Sequence, residues 1–183
     1  MGTSSNLAAA RHLTSAVDMD ATPAGRVGWS PSVRRLHVID VENLLGTGRP
    51  LPAELAWCER TYRSLGIVGP HDLVVVASNP SIGLDVGRCW LSRRLVVGHG
   101  PDGADHALLR VLTQERIDRC FTHVVLASGD GIFADPVAWL QDRHVEVTVV
   151  SRATALSARL RLAATGWIEF PPAAPADAAA AAA

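Results

Sequence analysis

The sequence contains no lysine. All 17 of its basic residues are arginine, so any phosphate it holds is met by a planar fork rather than an ammonium group. Basic charge is not in excess either. The formal net charge of −1 argues against a histone-like or polybasic nucleic-acid binder, while leaving room for a local basic surface. Cysteine is scarce. Cys58, Cys89 and Cys120 stand far apart with no C-x-x-C pair, which argues against a disulfide framework and predicts three reduced thiols. No apolar run approaches the ~20 residues of a membrane span, and the amino terminus shows no charged leader followed by an apolar stretch. The expectation is a soluble, cytoplasmic protein with no membrane partner. No internal repeat is present.

What is there suffices for one core. Hydrophobic residues make up 48% of the 183 and charged residues 19%, proportions of an ordinary globular domain. Residues 1–31 mix Ser, Thr, Ala, Gly and Asp without sustained periodicity and are expected to be disordered. Residues 171–183 are a Pro/Ala-rich stretch with one Asp, expected to be a disordered tail. The folded domain is expected at residues 32–170.

Within it, strand-like and helix-like stretches alternate. Leu36–Asp40 is an apolar run ending in a carboxylate. A helix is expected from Leu51-Pro52-Ala53-Glu54, with Pro in the first turn. Its apolar face is Leu51, Leu55, Cys58, Tyr62 and Leu65, and Gly66 stops it. Asp72–Ser78 reads as a β-branched strand covered on both faces, and Arg93–Val97 as a shorter one. Gly103-Ala104-Asp105-His106 turns into a helix with Ala104, Ala107, Leu108, Val111 and Leu112 on one side. Thr122–Ser128 and Val145–Val150 are further strands. Asp135-Pro136 reads as a cap followed by proline at the first helical position, with Val137 and Leu140 turned inward. A last helix spans Ala155–Ala164, and Trp167-Ile168-Glu169-Phe170 adds a short strand. The pattern predicts an α/β, Rossmann-like domain of three layers, with a mainly parallel central sheet and helices on both faces.

Three carboxylates fall at comparable places. Asp40 ends the first strand, Asp105 heads the helix after the third, and Asp130 follows the strand from Thr122. In a parallel sheet these loops open on one edge, where ligands bind. Carboxylates brought together repel unless a cation sits among them. Oxygen ligands, including the Asn43 amide, suit Mg²⁺ or Mn²⁺ rather than Zn²⁺, and no His or Cys has metal-ligand spacing. An ion held by few carboxylates keeps waters, leaving room for a phosphate and an attacking water. Simpler readings stand beside this one. Each Asp can cap the next helix, Asn43 can form an Asx turn, and Ser128-Gly129-Asp130-Gly131 can be an ordinary loop or a phosphate nest. Glu42 is expected to alternate away from Asp40 and Asn43, exposed or as a capping partner.

Asp40-x-x-Asn43 after an apolar strand, Gly103-Ala104-Asp105 opening a helix, and Ser128-Gly129-Asp130-x-x-Phe133 after a later strand together resemble the NYN domain family. This family, which includes the LabA-like proteins, belongs to the PIN-like nucleases. Ser151-Arg152 and the closing Trp167–Phe170 resemble its last segment. The resemblance covers residues 35–170 and implies a PIN-like fold, a Mg²⁺ or Mn²⁺ site and RNA cleavage. It implies Asp40, Asp105 and Asp130 as metal ligands, with Asn43 supporting the ion or substrate, so that these four form the catalytic set. It also implies that Ser128 orients Asp130 or contacts phosphate. The sequence departs from the pattern two turns into the helix after Asp105. Many relatives carry a further Asp there; this chain has Arg110 and Val111. Asp135 is the candidate auxiliary carboxylate, or merely a cap.

Arg49, Arg94 and Arg152, with Arg88 and Arg93, are candidates to hold the phosphates of single-stranded RNA, against a solvated charged surface. His99 and His106 flank the Asp105 loop as candidates for proton transfer. Trp57, Trp90, Trp139 and Trp167 read as packing residues rather than stacking platforms. The leading expectation is a Mg²⁺- or Mn²⁺-dependent ribonuclease. The alternative is a PIN-like RNA-binding or protein-interaction module with a weakened site, and self-association into a homo-oligomer is left open. A small-molecule phosphatase ranks lower, because no Asp-x-Asp pair follows the first strand.

Overall fold

The computed structural model describes residues 33–91 and 93–172. The expectations for residues 1–31 and for 173–183 lie outside the described residues. Six strands form one fully parallel sheet: β1 (Leu36–Asp40), β2 (Leu73–Ser78), β3 (Arg94–Val97), β4 (His123–Ala127), β5 (Glu146–Ser151) and β6 (Gly166–Glu169). Their spatial order is β3-β2-β1-β4-β5-β6. The order reverses between β1 and β4, so the crevice outside the carboxyl ends of these two strands is where such a sheet receives a ligand.

The strands form where β-branched residues run together, and both faces of the central ones are covered. Along β1, Leu36 and Val38 join a core with Val75, Leu108, Val124, Leu126, Val147 and Leu160. Ile39 belongs to the opposite core with Leu55, Tyr62, Val76, Trp90, Val125 and Phe170. A strand with apolar side chains on alternate faces is thus sandwiched between two helical layers. One layer is built from α4 (Gly103–Gln114), α6 (Ala134–Gln141) and α7 (Ala158–Ala163); the other has α2 (Pro52–Ser64) and α3 (Gly83–Cys89). Short helices α1 (Val41–Leu45) and α5 (Ile117–Cys120) and a 3₁₀ turn at Gly131–Phe133 complete the list of elements among the described residues. None of these helices is long and apolar enough to cross a membrane.

Several expectations shift. Leu51 is the cap of α2 and 61% exposed rather than part of its buried face, which is Leu55, Cys58 and Tyr62. The Glu54 carboxylate instead caps this helix by accepting the Leu51 N–H at 2.7 Å. Asp135 does not cap α6: the 3₁₀ turn runs straight into that helix, which starts at Ala134 and leaves Asp135 in its first turn. The last helix is shorter than its apolar pattern, because residues 152–157 form the turn that closes over the β4 loop.

Candidate metal centre at the carboxyl edge

Asp40 occupies the last position of β1, only 3% exposed. The backbone passes at once into α1, and Asp40 caps that helix by accepting the Asn43 N–H at Oδ1, 3.0 Å. The capping reading of Asp40 is therefore correct as far as it goes. It uses one oxygen. The other faces Ser128, whose buried Oγ donates to Oδ2 at 3.5 Å.

Asp105 reaches the same place from α4. Its helix is fixed by an unusually close backbone approach: a Cβ added to Gly98 would stand 1.7 Å from the Gly103 carbonyl oxygen. Only glycine can lie there, and the intervening turn holds Asp102 at φ 51°. The Asp40 and Asp105 carboxyls are near enough to perturb each other's ionisation. Burial pushes Asp40 well above the ordinary carboxylate range; the Asn43 N–H opposes this, and the Asp105 charge adds to it. Asp105 is also raised, first by burial and further by the charges of Asp130, Asp102 and Glu42, while its hydrogen bond with Asp40 pulls the other way. Asp105 Oδ1 is buried and has no hydrogen-bond partner. A buried acceptor of this kind is costly unless a hydrogen-bond donor or a cation meets it.

The pair opens into a polar cleft of about 230 Å³ lined by Asp40, Glu42, Asn43, Asn79, Asp102 and Asp105. Glu42, expected to point away, lies half-buried in this lining, and its Oε1 accepts the Asn79 N–H at 2.7 Å. Glu42, Asn79 and Asp102 were not among the sequence-derived candidates. Asn79 follows β2 just as Asp130 lies beyond the end of β4, so the strand-end rule that singled out Asp130 would have found it too.

The remaining candidates separate into near and far. Asp130 is exposed and accepts the Ile132 N–H at 2.9 Å, capping the 3₁₀ turn; its charge is felt at Asp105. Ser128 links the two loops, because its Oγ also accepts the Asp130 N–H at 3.3 Å. The Asn43 side chain does not point its oxygen at the pair but accepts the Gly129 N–H at 2.9 Å. Arg49 is exposed on the loop that carries Gly48, whose carbonyl accepts the Asn79 amide at 2.8 Å. Arg152 donates to the Asn43 carbonyl. Asp135 is exposed and pairs with Arg159 rather than lining the cleft.

Arg94 is at the other end of the molecule. As the first residue of β3 it stands at the amino edge, paired with Glu115 at 2.5 and 2.7 Å. There it borders a larger, mainly apolar cavity of about 440 Å³ with Leu36, Leu73, Val75, Ile117 and Phe121. Arg93 donates to the Gly87 carbonyl, and exposed Arg88 lies close to Asp85. His99 is exposed, and His106 is tied to the Asp102 carbonyl at 2.8 Å. Val111 is core, 2% exposed, so its side chain does not occupy a place at the site.

Among the described residues no set of three or more His, Cys, Asp or Glu side chains is gathered as a ready cage for a metal ion. The donor set fits a hard ion of the Mg²⁺ type nonetheless, since such ions bind through one or two carboxylates and complete their shell with water and phosphate. The orphaned Asp105 oxygen is the observation in favour.

The chain matches no family model and no curated protein. It is similar in fold to the crystal structure of a protein of unknown function from Vibrio parahaemolyticus, at a TM-score of 0.51 and 18% identity, covering 78% of this chain and 96% of that one. Fold and edge thus define an α/β domain of the Rossmann-like, three-layer class.

Proposed function

We propose that this domain is a Mg²⁺- or Mn²⁺-dependent ribonuclease of the NYN/PIN-like type, acting on single-stranded RNA. What carries the reading is the pairing of buried Asp40 with half-buried Asp105, whose Oδ1 is buried without a partner, at the crevice where the strand order reverses. The motif residues that suggest the family come together at this edge. Two carboxylates brought together, one of them buried, destabilise each other, and a divalent ion is the natural relief. Such an ion would polarise the phosphoryl oxygen and supply an activated water. Asp40 and Asp105 would hold it. Asn43 and Ser128 keep the loops after β1 and β4 in register, and Glu42, with one oxygen on Asn79, is suited to take a proton from water in the cleft. Exposed Arg49 is the cation best placed to meet the substrate backbone.

The test is cleavage of a labelled single-stranded oligoribonucleotide by the full chain. Cutting should require Mn²⁺ or Mg²⁺, stop with a chelator, and fall by ~100-fold or more in Asp105→Asn with the thermal transition retained. Chelator-resistant cutting, or an unimpaired Asp105→Asn, would sink the assignment. The non-catalytic RNA-binding or protein-interaction module is favoured by one specific feature: the Asn43 and Asp130 oxygens are engaged by backbone N–H groups. RNA retention without any Mn²⁺ binding by calorimetry would select that reading.

A further inference from the structure

The short helix α1 ends in a way that exposes a need. A helix of five residues leaves most of its carbonyls without intrahelical partners. The Glu42 carbonyl is satisfied by the N–H groups of Gly46 and Thr47, at 2.7 and 3.1 Å. The next one, Asn43, has no such partner within the helix and is met from β5 instead. Arg152, the residue after that strand, donates to the Asn43 oxygen from Nε at 3.3 Å and Nη2 at 3.1 Å. A cation at this helix end is also favoured by the negative pole of the helix.

The guanidinium lies flat on the backbone. A Cβ added to Gly46 would fall 2.8 to 2.9 Å from Nη2, Cζ and Nη1 alike, and Gly46 has φ 74°. The positive φ calls for glycine there, and a side chain would also displace the guanidinium. On its other sides Asn43 donates its N–H to Asp40, and its side-chain oxygen accepts the Gly129 N–H. Gly129 is itself trapped: a Cβ there would stand 2.4 Å from Ser151 Oγ and from the Ala155 carbonyl oxygen. Asn43 is thereby the junction of the loops after β1, β4 and β5, and Arg152 is the side chain that fixes it from behind.

We infer that Arg152 is a positioning residue: it acts through Asn43 to aim the Asp40 carboxylate and to set the gap between the loops after β1 and β4. It is not the phosphate-binding cation that its place beside the site suggests. Two of its five N–H donors, on Nε and Nη2, are spent on the Asn43 carbonyl, which holds the guanidinium against the backbone of α1. The inference rests on the metal-site reading above and deepens it.

The experiment uses the full chain, with Arg152→Ala and Arg152→Lys, in Mn²⁺-dependent cleavage of a labelled single-stranded oligoribonucleotide, and with Mn²⁺ affinity measured separately. A residue behind a metal ligand is worth ~10–100-fold in metal affinity or turnover, so kcat and Mn²⁺ affinity should fall by that much in Arg152→Ala. KM for RNA and its salt dependence should not change. Lysine should not rescue, because a single ammonium cannot reproduce the flat, two-donor contact. Added millimolar guanidinium should restore part of the Arg152→Ala rate. If Arg152→Ala fails to fold, Arg152→Lys carries the same comparison. A raised KM with a salt slope shallower by about 0.7 would make Arg152 a phosphate contact and overturn the inference alone, as would variants indistinguishable from the parent. A parent that neither binds Mn²⁺ nor cleaves would overturn the metal-site reading, and this inference with it.

Discussion

A carboxyl group 3% exposed between Ser128 and Asp105 gives up most of its hydration, and the one backbone N–H it accepts does not replace what it lost. In the absence of a cation Asp40 is therefore a liability to the fold. Its folded-state pKa is raised by burial above the unfolded value. The stability it contributes is thus fully present below the unfolded value, ~3.9, and is lost as pH rises through the folded one. Asp40→Asn keeps an oxygen for the Asn43 N–H and removes the charge. Measured with chelator present, this variant should melt above the parent at pH 8, with the difference shrinking toward pH 4. Each ~1 kcal/mol of relief is worth about 2–4 °C in a protein of this size. Saturating Mn²⁺ should reverse the order, stabilising the parent and leaving the variant unmoved. A parent that is the more stable of the two with chelator at pH 8 would show that the burial cost has been misjudged.

At the level of elements, β1 is pinned to α2 and to the loop before β2 by one buried polar cluster. His37 sits between the Tyr62 hydroxyl at 2.8 Å and Asp72 Oδ2 at 3.1 Å, and Asp72 also accepts the N–H groups of Arg35 and Gly69 at 2.8 and 2.7 Å. Burial lowers the His37 pKa, against the pull of Asp72. The unfolded chain takes up a proton near pH 6.5 that the folded chain still refuses, so stability present above that value is lost as pH falls below it. His37 should show the ring nitrogen shifts of a neutral imidazole at pH 6, where a free one is mostly charged. In Asp40→Asn, where the opposing titration of Asp40 is removed, the denaturation midpoint should drop between pH 7.5 and 5.5. A charged His37 at pH 6.5 would contradict this.

The same level shows what the sequence could convey. β1, β2, β4 and β5 are β-branched runs and α4 carries its apolar stripe at Ala104, Ala107, Leu108, Val111 and Leu112, so the layers were legible from periodicity. α3 was not, because Gly83-Leu84-Asp85-Val86-Gly87-Arg88-Cys89 has weak helix propensity and is held by burial of Val86 and Trp90. Asp40, Asp105 and Asp130 were traceable to one edge from their places at strand ends. Arg94 was misjudged because proximity in sequence to a site loop does not say which end of a strand a residue occupies; being first on β3 puts it at the amino edge. Glu42 was missed because strand alternation does not continue past Asp40, where α1 begins.

Across the whole molecule the site exists only because a parallel sheet delivers segments far apart in sequence to one edge. Residues 40–48 arrive with β1, 98–105 with the turn after β3, and 128–132 with β4, while 33–35 and 115–122 lie at the amino edge. An ion held by Asp40 and Asp105 must restrain the first two segments together. The Asn43–Gly129 and Ser128–Asp40 hydrogen bonds should pass that restraint to the third. Ligand at 100 times its Kd adds ~2.7 kcal/mol to the folded state, enough to slow amide exchange measurably in segments that open locally. Hydrogen exchange of the full chain with Mn²⁺ should therefore show added protection in all three segments at once. Residues 115–122 should respond only as far as global unfolding is suppressed. The pattern should vanish in Asp105→Asn. Protection confined to one loop would mean that the cation binds a local turn, and that the convergence of strand ends, on which the functional reading depends, is not what receives it.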